Sequence, residues 1–265
     1  MRKNNQLLLF LFVLSGCGFH KEPSLYQQLV VSKKCHMCNF KYYNFSSHDL
    51  SKTSLSGSYF FGVNVKGANL SQSDLTSVNF IFAHMQGANL SASNVDQAVF
   101  TGAHLTNANF SRTHGRFVNF QYALSKKANF YKAKFDLVNF EGANLELANF
   151  SQTYFVAAQF KQANLRGANF KGANMMNVDF SGATAKRANF KGAQLVGSVF
   201  RGADLSGADF TNADLSYANL EETNLNGAIF DNTNLEGARL CGSVLPGGAY
   251  NNVCIELLDE LKVHE

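Results

Sequence analysis

Large apolar side chains stand at every fifth position of this chain, in 42 consecutive units from Phe40 to Leu245. Only Gly115, Ser125 and Ala185 interrupt this column. An α-helix would scatter such residues around its axis, because five residues turn the chain through about 500°. A continuous strand would point successive members to opposite faces, because five is an odd number. The period therefore predicts a chain that turns once in every unit and winds into a coil.

The composition of each unit locates the turn and counts the sides. Of the 17 glycines between residues 38 and 245, 16 stand two positions after the large residue. A type II turn that begins at the large residue needs a positive φ there, which glycine adopts without strain. A second column, mostly alanine, stands two positions before each large residue, and phenylalanine recurs every 20 residues from Phe40 to Phe200. Twenty residues per coil and five per side predict a four-sided coil of about ten layers, roughly 50 Å long.

The repeated five-residue motif is clearest in residues 201–220, which read RGADLSGADFTNADLSYANL. Over residues 38–245 the pattern resembles that of the pentapeptide-repeat family. The resemblance implies an all-β fold, the right-handed quadrilateral β-helix, and says far more about fold than about function. We expect residues 246–265 to close the last coil with a short capping helix, because Val253, Leu257, Leu258 and Leu261 would share one helical face.

The first residues have the features of an export signal. Arg2 and Lys3 precede a short apolar run, LLLFLFVL, which ends at the sequence Leu-Ser-Gly-Cys17. This resembles the lipobox of bacterial lipoproteins, and the resemblance implies removal of residues 1–16 and lipidation of Cys17. Residues 17–37 would then be a lipidated tether that leads into the array. The alternative is an ordinary cleavable signal in which Cys17 is incidental.

The lipobox predicts a lipid-anchored protein of the cell envelope. In that family an aspartate after the cysteine often retains the protein at the inner membrane, and Gly18 stands there instead. The outer membrane is therefore favoured if the bacterium has two membranes. Several acyl chains on one residue give durable anchoring, whereas a single chain binds only marginally.

Cysteine usage agrees with an oxidising compartment, where disulfides persist. Cys35 and Cys38 form a CxxC motif at the start of the array, and Cys241 and Cys254 lie near its end. We expect a structural disulfide or thiol pair at Cys35 and Cys38, and a link between Cys241 and Cys254. A redox-active pair or half of a metal site remains open for the CxxC.

The sequence contains no recognisable catalytic constellation: it has no nucleophile motif, no phosphate-binding loop and no HExxH. We therefore predict a protein that is not an enzyme, with no cofactor, metal or small-molecule substrate. His84 and His104 stand 20 residues apart and should stack in adjacent coils, where two imidazoles could share a metal. The favoured interpretation is that both histidines replace the asparagine usual in that column.

Charge is segregated along the chain. Residues 112–201 carry 13 Lys/Arg against 4 Asp/Glu, whereas residues 202–265 carry 2 against 11. The predicted rod therefore has a basic middle and an acidic end, so that the middle could face an anionic lipid or the acidic end of a second rod. We define the basic patch as Arg112, Arg116, Lys126, Lys127, Lys161, Arg166, Lys171, Lys186, Arg187, Lys191 and Arg201.

One outward column is apolar where the pattern predicts polar residues. We define the apolar edge as Phe117, Leu137, Val156, Met176, Val196 and Tyr217, in six consecutive predicted coils. The corresponding earlier positions are polar, at Ser56, Thr76 and Asp96. A contiguous exposed apolar strip often marks a contact surface. The strip predicts a partner-binding or self-association edge, with local packing under irregular turns as the alternative.

These observations favour a non-enzymatic envelope lipoprotein that serves as a rigid protein-interaction scaffold. The best-known pentapeptide-repeat proteins mimic DNA with an acidic surface and bind DNA gyrase. The present net charge of +4 and an exported location both count against that function, so we do not expect nucleic acid as a partner. A DNA-mimic inhibitor and a thiol oxidoreductase using Cys35 and Cys38 stay as alternatives.

Overall fold

A computed structural model describes residues 25–251, which form one helix followed by a four-sided solenoid. Helix α1 spans Leu25–Ser32. From there, the residue just before each large residue forms a parallel bridge with the residue 20 positions later, from Lys34 with Ser54 to Asn224 with Val244. The right-handed quadrilateral β-helix expected from the sequence is thereby confirmed. The ladder begins at Lys34, inside the segment expected as a tether, and residues 252–265 of the expected cap lie outside the described residues.

Most coils touch through isolated bridges, but three consecutive coils form a longer parallel sheet. Its strands are β1 (His114–Arg116), β2 (Lys134–Asp136) and β3 (Tyr154–Val156), in the order β1-β2-β3. The register places Gly115 beside Phe135 and Phe135 beside Phe155. These strands lie on one side of the solenoid and run into the corner that carries the apolar edge.

The turns use a left-handed residue in every unit, whether or not it is glycine. The third turn position has a positive φ at each unit from Met37 to Gly242. Many of these residues are not glycine, for example Lys52, Gln72 and Ala92, each with φ near 57°. The stacked coils therefore impose this conformation, which costs an L-residue about 1–2 kcal/mol.

The core consists of stacked columns of side chains. Phe140 and Phe160 are fully buried and stack with ring centroids 4.9 Å apart, and a second ladder repeats this with Phe150 and Phe170 at 4.9 Å. The two ladders meet edge to face, at 5.6 Å between Phe150 and Phe160. Offset stacking and edge-to-face contact are the two favoured aromatic geometries. The alanine column is buried where the walls come close together.

Two of the gaps in the large column differ in how they are filled. A Cβ at Gly115 would lie 2.7 Å from a methyl of Val118 and 2.9 Å from one of Val95, so these valines occupy the space. Ser125 instead buries its hydroxyl, which has no hydrogen-bond partner within the described residues.

The asparagine column satisfies a backbone group that the coils leave free. The Asn129 Oδ1 accepts a hydrogen bond from the Tyr131 N–H at 3.1 Å, at the second residue of the turn. The same oxygen accepts from the Nδ2 of Asn149 in the next coil at 3.1 Å. Buried or half-buried backbone N–H groups need such partners. The outward asparagines are therefore structural residues and not a ligand site.

Both ends of the described solenoid are covered. Leu29 of α1 is fully buried, and the Tyr26 ring packs 5.8 Å from the Phe45 ring. At the other end the chain turns back, so that Val244 pairs antiparallel with Tyr250. Covered ends prevent the open hydrogen-bonding edges that lead to aggregation. Within residues 25–251, no helix combines the length and apolar character needed to cross a membrane.

Candidate interaction surface

The six residues of the apolar edge lie at one corner of the solenoid, in six consecutive coils. Five are exposed, from 41% for Val156 to 64% for Tyr217. Val196 is only half-buried and contributes less surface than the sequence predicted. The backbone joins neighbouring members directly, because the Leu137 N–H donates to the carbonyl of Val156 at 2.8 Å. The edge is thus a continuous strip on a hydrogen-bonded frame.

Charged residues flank this strip at its two ends. Lys134 and Asp214 occupy the same outward column beside the edge, and neither forms an ion pair with another described residue. At the corner itself, Arg116 precedes Phe117, and Glu236 occupies the same turn position six coils later. The ion pair of Arg116 with Asp136 is long, at 3.7 Å, and the Arg116 guanidinium lies 5.3 Å from the centroid of the Phe117 ring. Sequence analysis did not single out Lys134, Asp214 or Glu236, although their 20-residue columns place them beside the edge.

The basic patch is divided between paired and unpaired cations. Six members contact a carboxylate in the following coil: Arg116, Lys126, Lys161, Lys186, Lys191 and Arg201. Within residues 25–251, five make no ion pair: Arg112, Lys127, Arg166, Lys171 and Arg187. The patch is spread over all four corners, so it is not a single face as a compact anion site would need.

The ion pairs of the patch act on the acidic partners. Burial tends to raise the pKa of Asp209, but hydrogen bonds from Thr211 and Lys191 outweigh it and lower that pKa below its usual value. The same balance lowers the pKa of Asp179 and Asp204. Lys191 lies 2.9 Å from Asp209. These carboxylates are therefore charged at neutral pH, and they neutralise part of the basic middle.

The cysteines at the start of the array are joined. Cys35 and Cys38 form a disulfide with a Cα–Cα distance of 5.6 Å. Cys35 occupies the large column and is buried, whereas Cys38 occupies the alanine column. Cys241 is also disulfide-bonded. Cys17 and Cys254 lie outside the described residues, so the lipidation site and the Cys241–Cys254 link remain predictions.

The two stacked histidines lie where the period places them. His84 bridges His104 in the next coil, and their ring centroids are 5.4 Å apart. A metal site would need a third ligand, and residues 25–251 contain no group of three His, Cys, Asp or Glu side chains that could hold an ion. The pair is therefore not assigned a ligand.

A second exposed apolar feature was missed by the sequence analysis. Tyr42, Phe61, Phe82 and Tyr122 lie at another corner, and we call them the aromatic corner. The Phe61 ring contacts those of Tyr42 and Phe82, each at 5.8 Å. A Cβ on the glycine of the following coil would lie 2.6 Å from Tyr42 and 2.5 Å from Phe82, so each ring covers a glycine. The signal was a column in which aromatic residues and glycines alternate.

Packing on glycine gives the aromatic corner a structural role of its own. On the apolar edge, only Tyr217 packs on a glycine in this way: a Cβ added to Gly237 would lie 2.7 Å from its ring. Phe117 and Met176 are exposed without covering a glycine. The apolar edge is therefore the stronger candidate for a contact surface.

Comparison with known proteins identifies the repeats. A model described as "Pentapeptide repeats (8 copies)" matches residues 38–76, 53–91, 83–114, 93–124 and 208–247. A second, "Pentapeptide repeat region", matches residues 133–210. No curated protein sequence matches the chain.

Solved structures include several pentapeptide repeat proteins. HetL, involved in heterocyst differentiation regulation in the cyanobacterium Nostoc sp. strain PCC 7120, is 22% identical over 84% of this chain and 96% of its own, with a TM-score of 0.32. QnrB1, a plasmid-mediated fluoroquinolone resistance protein, is 19% identical over 78% and 91%, with a TM-score of 0.37. A protein of the Arabidopsis thaliana thylakoid lumen is 36% identical over 32% and 66%, with a TM-score of 0.20.

The matched segments cover most of the solenoid, and their five-residue units coincide with the observed turns. The chain belongs to the pentapeptide-repeat family.

Proposed function

We propose that this protein is a non-enzymatic scaffold of the cell envelope, held at a membrane by lipid on Cys17 and presenting the apolar edge to a protein partner. The observation that carries the proposal is the continuous exposed strip of five apolar side chains on an otherwise polar solenoid corner. Strips of this kind are uncommon on soluble monomers and are typical of contact surfaces.

Rigidity supports a scaffold role. The turn N–H groups of successive coils are bonded to the next coil, as at Leu137 with Val156 and Asn177 with Val196. The first phenylalanine ladder runs without interruption from Phe40 to Phe200, and the second from Phe110 to Phe230. A preordered surface loses little conformational freedom when it binds, so more of the contact energy appears as affinity.

The anchor is supported by sequence alone. A basic start, an apolar run too short to span a bilayer and a lipobox ending at Cys17 agree with one another. The outer membrane is the proposed location if the bacterium has two membranes.

The alternatives have less support. A DNA mimic needs an acidic surface, whereas residues 112–201 carry a clear excess of cations. A thiol oxidoreductase needs an accessible sulfur; in the disulfide, Cys35 is 7% exposed and only Cys38 is partly exposed.

Metabolic labelling with a fatty-acid analogue tests the anchor. The wild-type chain and a Cys17→Ser variant are expressed in the native cell, and membranes are separated from soluble fractions. We expect acyl label and membrane location in the wild type and loss of both in the variant. An unlabelled, soluble, cytoplasmic wild type would refute the anchor and reopen the DNA-mimic alternative.

Matched substitutions test the scaffold. Phe117→Glu places a charge on the apolar edge, and Gln97→Glu places it at the same turn position one coil earlier, on polar surface. Native-gel analysis of detergent-solubilised membranes should show a smaller complex for Phe117→Glu and an unchanged complex for Gln97→Glu. If both variants keep the wild-type size, the edge is not the contact surface.

A further inference from the structure

The partner of the apolar edge can be narrowed from the charges around it, on the basis of the proposed scaffold function. We infer that the apolar edge docks on the same edge of a second copy of this chain, antiparallel, with the two-fold axis at Met176. In such an isologous contact, residue i of one copy meets residue j of the other, and j meets i. Because each coil has 20 residues, residues equally many coils before and after Met176 face each other.

Five of the six apolar residues fit this register, and Phe117 meets Glu236 and Gly237. Met176 meets its own counterpart on the axis. Val156, one coil before, meets Val196, one coil after, and Leu137, two coils before, meets Tyr217. The side chains at the centre of the contact are therefore apolar on both copies. The half-burial of Val196 lets the exposed Val156 approach closely.

The charges fit it as well. A two-fold axis perpendicular to both rods brings equivalent sides of the two solenoids together. The side that the chain follows just before it reaches the edge therefore lies next to the same side of the other copy. Two opposite-charge pairs result along the edge: Lys134 with Asp214, and Arg116 with Glu236. Each pair occurs twice in the dimer. Apart from the long Arg116 contact with Asp136, none of these four residues has an ion pair within residues 25–251.

Other arrangements fit less well. With the axis half a coil earlier, Phe117 meets Tyr217, but Asp96 then faces Glu236. A parallel pair places Arg116 against Arg116 of the other copy, and Glu236 against Glu236. Like charges across a contact disfavour a complex, so the charges select both the direction and the register. Arg116 and Glu236 lie six coils apart, which gives a contact about 29 Å long at ~4.8 Å per coil.

Site-directed cross-linking tests direction and register together. With a short bismaleimide, Met176→Cys alone should form a covalent dimer. Val156→Cys and Val196→Cys should each form little dimer alone but cross-link when mixed. Gln97→Cys, four coils before Met176 at the same corner, controls for random collision, and the unsubstituted chain controls for native cysteines. Cross-linking of Val156→Cys to Met176→Cys in preference, or of Val156→Cys to itself, would overturn the register or the direction.

Charge reversal in trans tests the ion pairs. Lys134→Asp and Asp214→Lys should each weaken self-association on the order of tenfold, as measured by sedimentation, because each brings like charges together twice. A mixture of the two variants restores both pairs and should associate as the wild type does. Because Asp214 also accepts hydrogen bonds from the Ser216 N–H and Asn234, thermal unfolding of each variant checks that the solenoid is intact. No restoration in the mixture would overturn the pairing.

These results are separable from the anchor. Association is measured in the Cys17→Ser background, where lipid has no part. Cross-linking at Met176 without acyl labelling of the wild type would refute the anchor and keep the dimer. Acyl labelling with a chain that sediments as a monomer at every concentration would refute the dimer and leave another protein as the partner.

Discussion

The phenylalanine ladder makes a quantitative prediction about where stability resides. Phe160 is fully buried and its ring has five aromatic neighbours. The neighbours are Phe140 at 4.9 Å, Phe180 at 5.0 Å, Phe155 at 5.5 Å, Phe150 at 5.6 Å and Phe170 at 5.8 Å. Phe230, at the end of the second ladder, is partly buried, and among residues 25–251 its ring stacks on Phe210 alone, at 5.2 Å.

The two sites should therefore respond differently to the same substitution. Phe160→Ala removes a fully enclosed ring and leaves a cavity between two coils that cannot collapse, because hydrogen bonds fix their spacing. We expect a loss of about 3–5 kcal/mol in the free energy of unfolding. Phe230→Ala removes a half-buried ring with one stacking partner, and we expect a loss of about 1–2 kcal/mol.

Urea unfolding followed by far-ultraviolet circular dichroism measures both values, since the chain has no tryptophan. The free energies of unfolding of each variant and the wild type are compared at the mean of their two transition midpoints. The slope of each transition is checked for a change in cooperativity. Coils contact only their neighbours, so a central defect can also split the transition into two. Equal losses at Phe160 and Phe230 would refute the assignment of stability to ring stacking in the interior.

Two further predictions concern the turns and the ion pairs. Ala92 has φ 56° and is exposed, so Ala92→Gly should stabilise the chain by about 1 kcal/mol in urea unfolding. Ser91→Gly, at the neighbouring position without a positive φ, should destabilise it. The opposite order would contradict the conclusion that stacking imposes left-handed turns. The lowered pKa of Asp209 means that its contribution is present above the unfolded value of about 3.9 and is lost as the pH falls through the lower folded value. Thermal scans from pH 6 to pH 2 should therefore show a smaller acid-induced loss for Asp209→Asn than for the wild type, and an identical loss would show that the interactions of the Asp209 carboxylate with Thr211 and Lys191 add nothing.

The fold was predictable because a strict period leaves few ways to bury the same column. The spacing of Phe140 and Phe160 already fixed the coil length, and the structure places their rings in contact. The turn was only partly predictable. The glycine column indicated a positive φ, but nothing in Lys52 or Gln72 signals that they adopt the same conformation. Stacking of the coils imposes it on them through backbone hydrogen bonds that the sequence does not display.

The candidate surface was predictable in position and less so in detail. Counting in steps of 20 located the apolar edge, yet the half-burial of Val196 depends on how its turn packs. Helix α1 was not expected, because Leu25–Ser32 precedes the period and carries no repeat. The flanking charges at Lys134 and Asp214 lie in columns that could have been counted, but their meaning depends on a two-fold axis rather than on spacing within one chain.

The proposed anchor and the proposed dimer together constrain how the protein would lie at a membrane. His36 and Met176 occupy the same turn position seven coils apart, so a two-fold axis at Met176 places the two N-terminal ends about 67 Å apart at ~4.8 Å per coil. Those ends point in opposite directions along the pair. Two lipids attached there can enter one bilayer only if the rods lie along its surface, and otherwise they enter two separate membranes. A lipid-anchored antiparallel pair is therefore either a flat strut on one membrane or a bridge between two, but not an upright post.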